Sequence, residues 1–240
     1  MGGKFALCFE HDCSENFTMN VSEKNILMND LTMAVIDFDV EMLERFLDVM
    51  EIQLQKAKES EICGYRERLE AGTAAQGDEA DAVLEAIAER HEQFSRFARY
   101  AFLMLTLMVF EARAKELCKY VRNGKQLSLK IGDLQGNLSE KLKTYLCRYA
   151  KVLDENWQLW GDIRELQLLR NQIAHQSGIC PKEEIKKLKS QVCNVPGFRL
   201  ESDVEGFCVV LNLDSCRYAV SSIKRFFMEG GRAAGFCNAD

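Results

Sequence analysis

The sequence predicts a mainly α-helical fold, an antiparallel helical bundle with long helices and a small C-terminal β-hairpin. Three observations predict it. Only two prolines, Pro181 and Pro196, occur in 240 residues, so almost nothing interrupts a helix. Apolar residues recur at three- and four-residue intervals over long stretches, the period of an amphipathic helix. Two short apolar runs separated by a polar, glycine-containing turn lie near residues 198–211, the pattern of a hairpin.

Residues 1–35 form an N-terminal segment without a clear period, in which Phe5-Ala6-Leu7-Cys8-Phe9 reads as a short strand; residues 36–240 read as one helical domain. The first plain helix starts near Asp39, where Val40, Leu43, Phe46, Leu47, Met50, and later Ile52 and Leu54, recur at three- and four-residue intervals, and runs to about Leu69. Gly72 and Gly77 among small residues supply a turn. The second helix spans about Asp78 to Val121, with Val83, Ile87, His91 and Phe94 leading into the apolar centre Tyr100–Phe110. Asn123-Gly124 ends it, and two long helices joined by a short turn form an antiparallel hairpin. Leu127–Gly136 reads as a loop with a short helical piece, followed by a helix from Asn137 through about Val152. The next helix begins near Asp154, carries Trp157, Trp160, Ile163, Leu166 and Leu169, and reaches His175, with Gly178 suited to a left-handed cap. Pro181 opens a short charged helix. After the hairpin, a last helix runs from about Leu213 to Met228, with Gly230-Gly231 as its stop.

Composition narrows the function. The run Tyr100–Phe110 is too short for a membrane span, which takes about 20 residues, and no membrane association is expected. The start lacks the pattern of an export signal, and ten scattered cysteines without paired C-x-x-C units point to a reducing cytoplasm. Cys8, His11 and Cys13 lie close together but have no matching second half, so they read as ordinary thiols beside a histidine; neither a metal nor a cofactor is expected. The net charge of −6 excludes a protein that coats nucleic acid over its whole surface. The charge is uneven, however. Residues 1–60 carry five Lys/Arg against twelve Asp/Glu, and residues 112–151 carry ten against three. A solvated helix face is the ordinary explanation of the basic run, and a local phosphate-facing patch is the sharper one.

Leu168-Leu169-Arg170-Asn171-Gln172-Ile173-Ala174-His175 is the stretch with chemical content. At 100° per residue Asn171 and His175 lie one turn apart on one face, whereas Arg170 stands about 140° from His175. A guanidinium and an imidazole at a helix C-terminus also suit a plain capping role, since both cations favour the negative end of the dipole.

The form R-N-x-x-x-H at Arg170–His175 resembles the signature of the HEPN superfamily. The order of Asp133-Leu134-Gln135-Gly136, Tyr145-Leu146 and Trp157-Gln158 upstream is similar to that in uncharacterised bacterial members, over roughly residues 85–228. The resemblance implies a helical bundle that pairs as a homodimer, with the two motifs facing each other, and metal-independent cleavage of RNA. Arg170 would hold the scissile phosphate, His175 would act as general base or acid, and Asn171 would orient the histidine or the phosphate. It also implies a toxin–antitoxin or phage-defence setting with an antitoxin or regulatory partner protein. Ser177 stands where several HEPN toxins carry a tyrosine that a partner nucleotidyltransferase modifies, so that regulation is not expected. Glu111 in the second helix is a candidate to face the motif, and His91 reads as a helix-face or core residue without a partner. The competing readings are a non-catalytic HEPN-like module that binds RNA or a nucleotide, and a helical scaffold in which Arg170 and His175 only cap a helix.

Overall fold

The computed structural model describes residues 21–74, 76–204, 206–233 and 235, with side chains from residue 31 onward. Phe5–Phe9 and the Cys8, His11, Cys13 group therefore lie outside the described residues. The architecture is mainly α, with a small antiparallel sheet in the C-terminal part. Helix α1 (Val21–Glu70) and helix α2 (Asp78–Gly124) are joined by a short turn. At 1.5 Å per residue each is roughly 70–75 Å long.

Helices α1 and α2 run antiparallel, and charge pairing between them shows it. Asp39 accepts from Arg113 Nε at 2.6 Å, Glu51 takes Arg99 by two bonds of 2.7 and 2.8 Å, and Glu61 pairs with Arg90 and His91. As the position rises in α1 its partner falls in α2. Asp39 and Glu51 thus face arginines of α2, and Glu44 and Asp48 face Lys224 and Arg217 of the C-terminal helix at 3.3 and 3.6 Å. The expectation for His91 is corrected in one respect: it is buried as a core residue, but its Nε2 lies 2.7 Å from Glu61 Oε2. That hydrogen bond is the main reason the Glu61 carboxyl titrates below the usual value.

The main core gathers where α1 and α2 meet the rest of the chain. Ile36, Val40, Leu43 and Leu47 of α1 and Leu103, Leu107, Phe110 and Leu117 of α2 are buried there. They enclose Phe226 and Phe227 of helix α6 (Leu213–Ala233), with Phe110 edge-on to Phe226 at 5.1 Å. A second, smaller cluster of Tyr65, Ala80 and Ile87 closes the far end of the hairpin.

Helix α3 (Leu138–Lys143) opens with a capping box between Asn137 and Glu140. The expected helix to Val152 does not continue regularly, because Thr144–Tyr149 widen into a π turn. Consecutive residues of an α-helix point 100° apart, so three in a row cannot all face a core. The wide turn lets Tyr145, Leu146 and Cys147 do so. Between α2 and α3, residues Ile131–Asp133 form a single 3₁₀ turn, the short helical piece expected in that loop.

Helix α4 spans Leu159–Gln176, starting later than Asp154 because residues 154–158 form turns instead. After it come strand β1 (Ile179–Cys180), a 3₁₀ turn over Lys182–Glu184, and helix α5 (Ile185–Gln191). Strands β2 (Arg199–Ser202) and β3 (Phe207–Val210) form the expected hairpin, with Arg199 opposite Val210 and Ser202 opposite Phe207. The two-residue β1, too short to leave a pattern in the sequence, adds on the other edge of β3 to give the order β1-β3-β2. Gly206 permits this closeness, since a Cβ there would meet the Cys180 carbonyl oxygen at 2.5 Å. The stop expected at Gly230-Gly231 is also corrected. Both glycines are buried inside α6, which runs on through them to Ala233, with Leu153 and Trp157 in ordinary contact range of Gly230.

Candidate functional site

Helix α4 carries the motif on a firmly anchored base. Leu159, Ile163, Leu166, Leu169 and Ile173 recur at three- and four-residue spacing and are buried. Two buried carboxylates share this helix. Glu165 accepts the backbone amide of Asn194 at 3.1 Å and its side-chain amide at 2.5 Å. Asp162 is buried beside Tyr218, whose hydroxyl is driven well above its usual range, first by burial and then by its hydrogen bond to Asp162. Sequence reasoning missed both carboxylates, because nothing in the chain distinguishes them from solvated helix acids.

The opposite face is open. Arg164, Asn171 and His175 are exposed and Leu168 is half-buried, at steps of four, three and four residues, which place them in one row along the helix. Arg170 is half-buried to one side of that row and donates from Nη1 to Asn171 Oδ1 at 3.1 Å. His175 makes no hydrogen bond or ion pair among the described residues. The structure thus brings Arg170 and Asn171 together and leaves His175 one turn from Asn171 on the same face, unbonded to either. Glu111 is half-buried in α2 and makes no bond to the motif.

The helix end is capped without help from the motif. Ser177 takes the left-handed conformation (φ 52°) and Gly178 follows it (φ 78°). The backbone amides of both donate to the Gln172 carbonyl, the double closure of a Schellman-type end. Gln172 Nε2 also donates to Ile179 O at 2.6 Å, and Val209 N to Gly178 O at 2.8 Å, which ties the helix end to the sheet. Beneath lies Tyr100, whose hydroxyl donates to the Val209 carbonyl. Burial and the neighbouring Cys208 thiol push that hydroxyl far above its usual titration range, so it remains a donor. Gly178 lies so close to the Tyr100 ring that a side chain would not fit. Capping by Arg170 or His175 is not what ends this helix.

No family model, curated protein or solved structure matches the chain. Among the described residues no three His, Cys, Asp or Glu side chains gather as a metal site, and no helix is long and apolar enough to cross a membrane.

The basic run at residues 112–151 is only partly neutralised. Arg113 pairs with Asp39 and Glu116, Arg148 pairs with Glu155, and Lys125 donates to the Ala150 carbonyl. Lys115, Lys119, Lys130, Lys141, Lys143 and Lys151 make no ion pair among the described residues, so positive charge collects on α3 and the C-terminal end of α2.

Proposed function

We propose that the chain is a metal-independent endoribonuclease of HEPN type that acts as a homodimer. The observation that carries this reading is the exposed His175, which makes no capping hydrogen bond and stands one turn from an Asn171 that accepts from Arg170.

The reaction follows from the groups. A neutral His175 imidazole takes the proton of a ribose 2′-hydroxyl, and the freed 2′-oxygen attacks the adjacent phosphorus. The bond from phosphorus to the 5′-oxygen breaks, and a protonated imidazole supplies the leaving oxygen with its proton. The products are a 2′,3′-cyclic phosphate and a 5′-hydroxyl. Arg170 holds the non-bridging oxygens and offsets their growing charge. Because Arg170 and His175 diverge around one helix, a second copy completes the set, its histidine acting as the acid.

The outer surface of the α1–α2 hairpin, on the side of α2 away from α4, offers a separate surface for self-association. Leu31, Val35, Phe38, Met42, Val49 and Ile52 follow a heptad stripe broken only by Arg45, and all but Val35 are about half exposed. Phe94, Ala98, Ala101, Leu105, Met108 and Ala112 repeat the spacing on α2, and Phe46 stacks on Phe102 between the two helices. At roughly 75–125 Å² for each large side chain, these stripes offer on the order of 800 Å², the share of each partner in a standard interface. Large residues on α1 and alanines on α2 would interdigitate with a second copy in a four-helix arrangement. The setting proposed with this chemistry is toxin–antitoxin or phage defence in the cytoplasm, with a regulatory protein partner.

Incubation of mixed RNA with purified protein in chelator, beside the His175→Ala variant, tests the activity. Cleavage to cyclic-phosphate ends that vanishes in the variant is the expected result. RNA binding without cleavage would instead select the non-catalytic module.

A further inference from the structure

A cavity of about 550 Å³ opens at the start of α4, the end of the helix opposite His175, and the motif does not account for it. Its walls include Trp157, Trp160, Gln158, Lys143 and Arg164. Lys143 and Arg164 make no ion pair among the described residues. The cavity's two carboxylates are engaged, since Glu155 accepts from Arg148 at 2.9 Å and Glu140 is held in the capping box at Asn137. Both indole N–H groups are also occupied, by Glu229 at 2.8 Å and by the Asp154 carbonyl at 3.0 Å. Trp157 stands edge-on to Trp160 and leans on Phe226, so it is fixed in place while only half-buried. The amides of Trp160 and Gly161 in the first turn of α4 are taken by the Trp157 and Gln158 carbonyls, so the side chains supply the recognition. A fixed aromatic wall and two free cations are the elements that hold a nucleotide, with the base against the indole and the phosphate between the cations.

Arg164 connects this cavity to the motif. It lines the cavity and heads the row that continues through Leu168 and Asn171 to His175, roughly 16 Å further along the axis. We propose that the Trp157–Lys143–Arg164 cavity is a subsite for a nucleotide of single-stranded RNA, lying a few positions along the strand from the bond at His175. The choice of RNA rests on the ribonuclease reading; the subsite itself rests on the cavity.

The chain has only two tryptophans, and both line this cavity, so intrinsic fluorescence reports on it directly. The experiment titrates the full-length protein with a short 2′-O-methyl oligoribonucleotide, which lacks the attacking hydroxyl and cannot be cleaved. Quenching that saturates is expected, retained in His175→Ala and weakened at least about tenfold in Lys143→Ala/Arg164→Ala. The salt dependence should also fall by about 0.7 in logarithmic slope for each cation removed. Circular dichroism of the double variant checks that it is folded, and Trp157→Phe provides a second variant that loses affinity with the cations intact. Unquenched fluorescence at saturating RNA, or equal affinity in the folded double variant, would overturn the subsite even if His175-dependent cleavage is found. Quenching lost with the cations in a protein that cleaves nothing would uphold the subsite and remove the catalytic reading.

Discussion

Gly178 shows how much a single residue fixes at the end of α4. Its φ of 78° and its contact with the Tyr100 ring both exclude a side chain. Gly178→Ala is expected to cost about 1–3 kcal/mol from backbone strain alone, read as a lower urea midpoint, with a further loss from displaced Tyr100. The glycine was legible in the sequence as a cap; its close approach to Tyr100 was not, because that contact joins residues far apart in the chain. The thiols make a second residue-scale case. Burial pushes Cys118 and Cys216 up to about 12 from an ordinary 9.0, whereas Cys63 and Cys193 are exposed. At pH 8.5 the buried pair should carry on the order of a thousandfold less thiolate, so native-state alkylation followed by peptide mapping should mark Cys63 and Cys193 and spare Cys118 and Cys216. The sign of the linkage follows. These thiols stay neutral in the folded state and ionise first in the unfolded one, so their contribution is complete below about 9 and is lost as pH climbs towards 12. Equal labelling of all four in folded protein would contradict the burial.

At the scale of elements, legibility follows period and length. The long apolar stripes of α1 and α2 show in the sequence because a buried face must repeat every three or four residues over many turns. The π turn does not, because three successive buried residues at Tyr145–Cys147 fit no regular helical face. β1 is two residues long, and α6 runs on through Gly230-Gly231, which read as a stop. The catalytic candidates were readable from the motif spacing, while the cavity at Trp157 brings together α3, the turns before α4 and α4 itself. The i, i+7, i+11 row from Arg164 to His175 was the signal available and unread. The outward stripes of the hairpin yield a prediction at this scale. Met42→Glu/Leu105→Glu should convert the proposed dimer to a monomer in light scattering, with melting unchanged at a concentration where the parent is also monomeric. A double variant that remains dimeric would move the interface elsewhere.

For the whole molecule, charge and shape assign different work to different ends. The hairpin aligns its acids with arginines and leaves an apolar outer surface, while free lysines collect on α3 and the end of α2. Helix α4 runs between the two regions, with the Trp157 cavity at its start and His175 at its close. The negative total charge and a local basic path are compatible in this arrangement, because the acids are largely paired or lie along the hairpin. Whether His175 and Arg170 cleave RNA without a metal is decided by incubating mixed RNA in chelator with the parent protein, His175→Ala and Arg170→Ala, each checked for an unchanged melting temperature. Fragments with 2′,3′-cyclic phosphate ends are expected from the parent, with a loss of at least about a hundredfold in either variant. Undiminished cleavage by folded His175→Ala, or none by the parent protein, would overturn the ribonuclease reading.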